Sequence, residues 1–411
     1  MVRLAPAALA QIDSLLTQYA ARPAHPGTLV GITNRAGERL FLRAAGTKDL
    51  GTGAAYADDT VFWVASCTKL ITSVAALQLV AAGKIALDDD VGAVCPELAA
   101  PDLVVSSTPE QVVTRKASNP ITLRQLLTHT AGFTYPWYNV HVHRWCALHP
   151  DADPLRALDS PLVAEPGTKF DYGVSVDWAG VVVERVSGLS LEEYCKANIF
   201  TPLGMASTSF DMLARPDLAQ RLATLHLWDG AEGFTPHAFP DTAAWPKVVA
   251  HGAEKSGGGG VFTTGADYLA LLAALLNGGV SPTTGARVLP SEVVRDLFTS
   301  QTGGVADQGA LGDNASVASA DTSVADSALI LLPGQRKAWG LGSLLNLDDI
   351  PGGRRANTGE WGGISNCFWL ADTTSEIAIV VFNDILPYGL PAFIELQQEV
   401  QRIVYSPGAL I

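Results

Sequence analysis

The 411-residue chain has little cysteine, an excess of acidic over basic residues and no long hydrophobic run. Five cysteines at wide spacings, with no CxxC pair, indicate neither a disulfide framework nor a structural zinc site. A net charge of −14 disfavours binding to a phosphate backbone. The longest apolar runs, such as 377–382, are far shorter than the roughly 18–20 residues that span a bilayer. We therefore expect no nucleic-acid partner, no membrane anchorage and a reducing, cytoplasmic location.

The sequence also gives no sign of a secretory signal or of a metal. Gln11 and Asp13 interrupt the weakly apolar N-terminal stretch before a signal-peptide h-region can form. The eight histidines show no HExxH or similar ligand spacing, so we expect no metal and no cofactor. Apolar material, in contrast, is abundant. Hydrophobic residues make up 48% of the chain, which is enough for a large buried core.

Hydrophobic periodicity predicts strands at both ends of the chain around a mostly helical middle over about 84–240. A helix is predicted to about Tyr19, a hairpin over 28–43 and a strong helix over Ser66–Ala82, with a further helix closing the chain. Other strands are predicted over 339–345, 360–370 and 377–383. Capping patterns predict three more helix starts, at Thr122, Ser190 and Thr264.

The local pattern most indicative of chemistry is Ser66-Cys67-Thr68-Lys69, at the start of a predicted helix. A serine hydroxyl becomes a good nucleophile when a neighbouring base takes its proton. A lysine three residues later on a helix lies on the same face as the serine. The helix N-terminus also offers N–H groups to a developing oxyanion. The alternative is a capping serine followed by a surface lysine, since this spacing also arises by chance.

Short blocks spread along the chain support the first interpretation. In order they are Phe62–Leu70, Leu79–Asp88, Ile121–Phe133, Pro166–Tyr172, Asp177–Gly180, Gly258–Phe262, Trp339–Gly342 and Glu360–Ser365. Together they resemble the motifs of serine β-lactamases and penicillin-binding proteins. The resemblance is greatest to the class C-like (family VIII) carboxylesterases and the fungal lovastatin-type acyltransferases. It implies a β-lactamase/transpeptidase-like α/β (α+β) fold, in which helices flank an antiparallel sheet built from both chain ends.

The resemblance assigns roles to three side chains. Ser66 is the acylated nucleophile, and Lys69 accepts its proton. Tyr172 stands at the tyrosine of the family's Tyr-x-Asn motif, where it shares a proton with Lys69 and relays it to the leaving group. Burial beside a phenol would let Lys69 lose its proton near neutral pH. For Tyr172, ordinary packing at a strand end is the alternative.

The third family motif differs from that of the β-lactamases. Where they carry Lys-Thr-Gly, this chain has Trp361-Gly362-Gly363. The two glycines allow the strand to approach a ligand closely, and the amide of Ile364 would join that of Ser66 in an oxyanion hole. The lysine that holds a β-lactam or peptide carboxylate is replaced, and Val174 stands where Tyr-x-Asn has its asparagine. Both differences favour neutral esters or thioesters, with Trp361 as an apolar wall.

Four further features have weaker assignments. Tyr135 is expected to line the pocket, with ordinary packing as the alternative. His129 is interpreted as structural, and Cys67 as a core thiol whose sensitivity to oxidation is the alternative. Lys255-Ser256-Gly257 imitates the missing Lys-Thr-Gly motif, but it precedes a glycine-rich block and a predicted helix. We interpret it as part of a structural turn.

The implied function is that of a serine-dependent ester hydrolase or acyltransferase. It would act through an acyl-enzyme on a small-molecule neutral ester or thioester, with secondary-metabolite esters among the candidates. An alcohol acceptor and an acyl-carrier donor are the expected partners of an acyltransferase. The alternatives are a β-lactamase or D-Ala-D-Ala peptidase-like hydrolase, and a non-catalytic binding protein that retains the fold.

The expected organisation is a single β-lactamase-like catalytic unit over 1–411. Its sheet subdomain would comprise about 1–65 and 241–411, and its mainly helical region about 66–240. Residues 302–326 are rich in glycine, alanine, serine and aspartate, so a loop is predicted there. Either a lid over the pocket or an exposed insertion fits that composition.

Overall fold

The computed structural model describes residues 1–22, 25–150, 158–212, 214–230, 233–237, 255–302 and 334–411. The α-helices are α1 (Pro6–Ala20), α2 (Thr68–Ala81), α3 (Leu123–Leu127), α4 (Val140–Leu148), α5 (Ser175–Ser187), α6 (Leu191–Cys195), α7 (Thr201–Leu203), α8 (Pro216–Ala219), α9 (Gly265–Leu276), α10 (Ser291–Leu297) and α11 (Pro391–Val404). Single 3-10 turns cover Ala65–Cys67, Val91–Ala93 and Pro96–Leu98, and a π-turn covers Lys196–Phe200.

The strands are β1 (Gly27–Asn34), β2 (Arg39–Asp49), β3 (Ala54–Ala55), β4 (Val61–Trp63), β5 (Asp102–Ser107), β6 (Val112–Lys116), β7 (Leu225–Trp228), β8 (Phe234–His237), β9 (Phe262–Thr264), β10 (Lys337–Trp339), β11 (Leu344–Asn346), β12 (Gly359–Gly363), β13 (Cys367–Asp372), β14 (Ile377–Phe382) and β15 (Ile385–Leu386). Within the described ranges, no helix has the length and apolar character needed to cross a membrane. The described residues include all five cysteines, and no disulfide joins them. The loop predicted over 302–326 lies, from residue 303 onward, outside the described residues.

Eight strands form one antiparallel sheet in the order β10-β11-β12-β13-β14-β1-β2-β3. The N-terminal strand β1 pairs with the C-terminal strand β14, from Leu29 opposite Phe382 to Asn34 opposite Ile377. The two ends of the chain therefore meet in the centre of the sheet, and the prediction that the sheet is built from both chain ends is confirmed. Every residue of β1 and β14 is buried. Since alternate residues of a strand face opposite sides, both faces of the sheet centre are covered.

Helices α1 and α9, with α11 packed against α1, provide this cover. The β1 face that carries Leu29 and Gly31 lies against α9, where a Cβ added to Gly31 would come within 2.8 Å of Leu269. Helix α1 packs against β1, β2 and α11. The apolar side of α11 is buried as the sequence pattern predicted, through Phe393, Leu396, Val400, Ile403 and Val404.

Helix α2 is the central helix of the molecule. All residues from Thr68 to Leu77 are buried, including the polar ones, so the helix is enclosed on every side. The 3-10 turn Ala65–Cys67 in front of it touches β12 and β13, and α2 itself packs against α5. The turn and the first residues of α2 therefore lie where the large sheet meets the helices of the middle region.

Two secondary-structure predictions were wrong in detail. The predicted strand 360–370 is two antiparallel strands, because Asn366 adopts a left-handed backbone conformation (φ 57°) and reverses the chain between β12 and β13. The predicted strand 339–345 likewise spans the end of β10 and the start of β11. The middle region is also less purely helical than expected. It contains the two β-hairpins β5–β6 and β7–β8.

The capping predictions agree with the structure. Thr122 and Ser190 each form a reciprocal capping box, with Gln125 and Glu193 respectively. The Thr264 side chain accepts a hydrogen bond from the backbone amide of Asp267 at the start of α9.

Candidate active site

Ser66 lies on a tight turn between strand and helix. Strand β4 ends at Trp63, the 3-10 turn Ala65–Cys67 follows, and α2 begins at Thr68. Ala65, directly before the serine, has φ 44°, in the left-handed region that a side chain with a Cβ rarely adopts. Strained residues of this kind cost about 1–3 kcal/mol and persist where the surrounding structure enforces them, often at functional sites. Ser66 is only partly buried, unlike both neighbours.

Lys69 is one helical turn further on and points back to the serine. Its Nζ donates hydrogen bonds to Ser66 Oγ at 3.1 Å, to the Gly258 carbonyl at 2.8 Å and to Tyr135 Oη at 3.4 Å. The side chain is 1% exposed. Burial lowers the pKa of Lys69 from 10.5 to about 8, although the Asp177 carboxylate opposes the change. A substantial fraction of the amine is therefore neutral in mildly alkaline solution, as a proton acceptor must be.

Tyr172 approaches the same two groups from the loop before α5. Its ring centroid is 4.9 Å from Lys69 Nζ, and its phenol is hydrogen-bonded with Ser66. The indole Nε1 of Trp361 donates to the phenol oxygen at 3.0 Å. Burial raises the pKa of Tyr172 above its ordinary value, while the hydrogen bonds with Ser66 and Trp361 lower it. A neutral phenol in this position can donate one proton while it accepts another.

Strand β12 runs directly behind the turn that carries Ser66. A Cβ added to Gly363 would lie 2.3 Å from the Val64 carbonyl oxygen, so this position accepts only glycine. A Cβ on Gly362 would lie 2.7 Å from Tyr388 Oη. Ile364 is the first residue after the strand, and the next residue, Ser365, donates from Oγ to the Trp63 carbonyl at 2.7 Å. The segment that carries the Ile364 amide is thus fixed against the turn that carries Ser66.

Aromatic rings surround these groups. Trp339 and Trp361 meet edge to face with centroids 4.6 Å apart. Tyr135 stacks on Trp137 at 4.6 Å and meets Tyr172 edge to face at 5.5 Å. Tyr135 was predicted only as a pocket wall. Its hydroxyl also lies within hydrogen-bond distance of Lys69 Nζ, so it contacts the lysine amine as well.

His129 is buried among these rings. Its backbone carbonyl accepts the Asp171 amide at 2.8 Å, its Nδ1 accepts the Gly173 amide at 3.4 Å, and its ring is 4.6 Å from that of Tyr172. Burial holds the pKa of His129 well below its usual value, and the neighbouring Lys69 charge lowers that pKa further. These contacts fit the structural role expected from the sequence.

The Lys255-Ser256-Gly257 tripeptide is part of a turn and does not replace the third motif. Lys255 pairs with Asp211 at 3.1 Å, and Ser256 Oγ donates to Asp177 at 2.6 Å. The Gly257 carbonyl accepts from Thr72 Oγ1 at 2.7 Å. The turn supplies a backbone group to the site, however, because the next carbonyl, that of Gly258, accepts from Lys69.

Sequence reasoning did not identify the Gly258 carbonyl or Asp177 as part of the site. A main-chain acceptor has no side-chain signature, and an aspartate in the first turn of a helix is usually explained by the helix dipole. Cys67 is fully buried, and burial raises the pKa of its thiol, which makes it unreactive. Within the described ranges, no cluster of three or more His, Cys, Asp and Glu side chains could hold a metal ion.

Comparison with known proteins identifies the family. The Beta-lactamase family model matches residues 12–387. Lovastatin esterase of Penicillium rubens is 32% identical over 92% of this chain and 94% of its own length. Monacolin J acid methylbutanoyltransferase of Aspergillus terreus is 29% identical over 85% of this chain and 82% of its own length. The solved structure of the LovD6 mutant of simvastatin synthase from Aspergillus terreus superimposes with a TM-score of 0.85, at 25% identity and with 98% of both chains covered.

These matches confirm the resemblance stated on the motifs and the predicted fold. They extend over nearly the whole chain, and they include both an esterase and acyl-transferring enzymes. The chain therefore belongs to the Beta-lactamase family, as a serine-type ester hydrolase or acyltransferase.

Proposed function

We propose that Ser66 is the nucleophile, Lys69 the general base and Tyr172 the proton relay of an acyl-enzyme mechanism. The observation that carries the proposal is the convergence of all three side chains on one point, with Lys69 Nζ 3.1 Å from Ser66 Oγ and 4.9 Å from the Tyr172 ring. Neutral Lys69 takes the hydroxyl proton as Ser66 Oγ attacks the ester carbonyl. The new C–O bond leaves a tetrahedral oxyanion, which the Ser66 and Ile364 amides would stabilise.

Collapse of the intermediate requires a proton at the leaving oxygen. The phenol of Tyr172 donates its proton to the departing alcohol and recovers one from the Lys69 ammonium, so no charge is left on the phenol. The acyl group is then esterified to Ser66. Deacylation repeats the sequence in reverse, with water or a second alcohol in place of the first. Hydrolysis and acyl transfer thus share one intermediate.

The substrate we propose is a neutral ester of the lovastatin kind, or the acyl donor from which such an ester is made. The aromatic rings of Trp137 and Trp361 give the site apolar walls, and the fully buried Trp339 packs edge to face against Trp361. Trp361 stands where the β-lactamases have the lysine that binds a carboxylate, so this position offers no cation to a β-lactam. Two relatives support this substrate class: the lovastatin esterase, named for hydrolysis, and the monacolin J acid methylbutanoyltransferase, named for acyl transfer.

Four further assignments belong to the same proposal. Trp361, Gly362, Gly363 and Tyr135 would contact the substrate. Residues 1–411 would act as one catalytic unit, with the site between the sheet and the helical region. An acyl-carrier thioester would serve as donor if the enzyme transfers acyl groups. A cytoplasmic location fits five cysteines with no disulfide among them.

The first test compares the release of p-nitrophenol from p-nitrophenyl butyrate by three proteins. Ser66→Ala is expected to be inactive. Ser73→Ala, the same change at a buried serine of α2 seven residues further along the chain, is expected to keep wild-type activity within about threefold. Retention of most activity by Ser66→Ala contradicts the proposal. Adding an alcohol and analysing the products by chromatography then measures how the acyl-enzyme divides between water and alcohol.

A further inference from the structure

A glycine-rich turn at 256–261 is attached to the helix that carries the nucleophile and the base. Three hydrogen bonds join it to α2: Lys69 Nζ to the Gly258 carbonyl (2.8 Å), Thr72 Oγ1 to the Gly257 carbonyl (2.7 Å) and the Val261 amide to Thr68 Oγ1 (3.0 Å). These bonds fix the turn along the face of α2 that presents Lys69.

Asp177, in the first turn of α5, holds this turn from the other side. Its Oδ1 accepts hydrogen bonds from Ser256 Oγ at 2.6 Å and from the Gly258 amide at 3.0 Å. The carboxylate is 4% exposed, and a Cβ on Gly258 would lie 2.1 Å from Oδ2. Only glycine at 258 lets the carboxylate approach this closely. Asp177 therefore binds the amide of the same residue whose carbonyl accepts from Lys69.

The orientation of the Lys69 amine matters for its proposed role. A neutral amine accepts a proton through its single lone pair, so its N–H bonds must point away from the serine. The ammonium form donates to Ser66 Oγ (3.1 Å), the Gly258 carbonyl (2.8 Å) and Tyr135 Oη (3.4 Å). In the neutral amine, the Gly258 carbonyl and Tyr135 Oη can accept the two remaining N–H bonds, which leaves the lone pair for Ser66 Oγ. A displacement of this carbonyl would misdirect the lone pair without removing any group that reacts.

The charge of Asp177 acts on the same amine. The other titratable groups that face Lys69 are the thiol of Cys67, the imidazole of His129 and the phenols of Tyr135 and Tyr172. Burial raises the pKa of both Cys67 and Tyr172 and lowers that of His129, so these three are neutral near pH 7. The Asp177 carboxylate favours the ammonium form and raises the pKa of Lys69 against the effect of burial.

We propose that Asp177 is a positioning residue for Lys69, which acts through the 256–261 turn to orient the amine and through its charge to set the protonation of that amine. The inference rests on the proposed role of Lys69 as general base. Asp177 touches neither the substrate nor the reacting atoms. Its removal should therefore change both the rate and the pH dependence of acylation, whereas a purely structural residue would leave the pH dependence alone.

The test is the pH profile of kcat/KM for p-nitrophenyl butyrate with wild type and Asp177→Asn. The amide keeps the shape of the carboxylate and one oxygen acceptor but removes the charge. Without that charge the ammonium of Lys69 is less favoured, so the acid limb should move to lower pH by about 1 unit. The plateau should fall about tenfold, because the amide is a weaker acceptor for Ser256 and Gly258.

Asp267→Asn is the matched control. Asp267 also accepts from one backbone amide and one hydroxyl, those of Ser207 (2.7 Å) and Thr208 (2.9 Å), but the cations that interact with it are Arg215 and Arg221. Its variant should keep the wild-type acid limb. If the acid limb of the kcat/KM profile does not move in Asp177→Asn while Ser66→Ala is inactive, the role of Asp177 is overturned and the proposed function is left intact. Activity in Ser66→Ala would instead overturn the proposed function.

A second variant decides the question if Asp177→Asn does not fold. Ser256→Ala removes the hydroxyl at 2.6 Å from the carboxylate but keeps its charge. The expected result is a fall in kcat of at least about threefold with the acid limb in its wild-type position, since the turn loses a hydrogen bond to a charged group while the charge itself stays. A wild-type kcat in a folded Ser256→Ala protein would show that the hydrogen bond from Ser256 to Asp177, which anchors the 256–261 turn, does not contribute to catalysis, and would contradict the proposal.

Discussion

Replacing Lys69 by methionine tests whether the buried lysine destabilises the fold when it is protonated. The pKa of Lys69 is lowered by burial from 10.5 to about 8, and one pKa unit corresponds to about 1.4 kcal/mol. Below about pH 8 the folded protein must bury an ammonium ion, at a cost of about 3 kcal/mol relative to the unfolded chain. Methionine has a similar length and no charge, so the variant does not bear this cost.

The sign of the pH dependence follows from proton binding. Between about pH 8 and 10.5 the unfolded chain holds a proton on Lys69 and the folded protein does not. The free energy of unfolding of the wild type therefore rises with pH across this window, relative to that of Lys69→Met, by up to about 3 kcal/mol. The lost hydrogen bonds to Ser66 Oγ and the Gly258 carbonyl add a difference that is the same at every pH.

Urea unfolding followed by tryptophan fluorescence measures this difference at pH 7, 8, 9 and 10. Burial raises the pKa of both Cys67 and Tyr172, so neither group titrates in the folded protein over this range. Lys84→Met is the control. Lys84 is exposed just beyond the same helix, and its variant should differ from wild type by a constant amount. A constant difference for Lys69→Met as well would refute the account of a neutral, buried base.

Three further changes test the surrounding groups. Tyr172→Phe should lower kcat/KM at least about 10²-fold, the usual range for a general acid–base group, with little change in melting temperature; a loss below tenfold would remove the phenol from the mechanism. Trp361→Phe keeps the aromatic wall but removes the N–H that binds the phenol at 3.0 Å, so steady-state kinetics should show a fall of about three- to tenfold in kcat; an unchanged kcat argues against this contact. Gly363→Ala places a Cβ 2.3 Å from the Val64 carbonyl and should lower both activity and melting temperature; wild-type values for both would contradict the close approach of β12.

The sequence predicted those parts of the fold that are encoded locally. The capping boxes at Thr122 and Ser190 formed as expected because a side chain three residues away completes each of them. The hairpin near the N-terminus and the apolar stripe of α11 also followed from periodicity over a few residues. The pairing of β1 with β14 was anticipated only through the family resemblance, because no local pattern specifies which distant strands meet.

The errors in the predicted secondary structure arose where the residues of a segment are either nearly all buried or mostly exposed. Nearly all of residues 360–370 are buried, including the polar Glu360, Ser365 and Asn366, so the sequence shows no regular alternation of apolar and polar residues there, and the reversal at Asn366 was not recognised. The β5–β6 hairpin was missed for the opposite reason. Most of its residues are exposed or only partly buried, so its sequence shows no hydrophobic face.

In the candidate site, too, the features encoded by neighbouring residues could be predicted, and those that depend on distant parts of the chain could not. The Ser66–Lys69 spacing could be read directly, because residues three apart on a helix share a face. Tyr172 required the family resemblance, since it lies about a hundred residues further along the chain. Asp177 and the Gly258 carbonyl became visible only in three dimensions, where a turn from one part of the chain is held between two helices from others. Contacts of this kind, made by groups that surround Lys69, depend on how distant parts of the chain pack together, so they leave little trace in the sequence.

Acylation of Ser66 is the central claim, and mass spectrometry tests it directly. Wild-type protein would be mixed with p-nitrophenyl butyrate, quenched in acid within the first turnovers and digested for peptide mapping. The account predicts a butyryl group on the peptide that contains Ser66, at the serine itself, and no such adduct in Ser66→Ala. An adduct confined to another residue, or turnover by a wild-type enzyme that never carries the acyl group on Ser66, would contradict it.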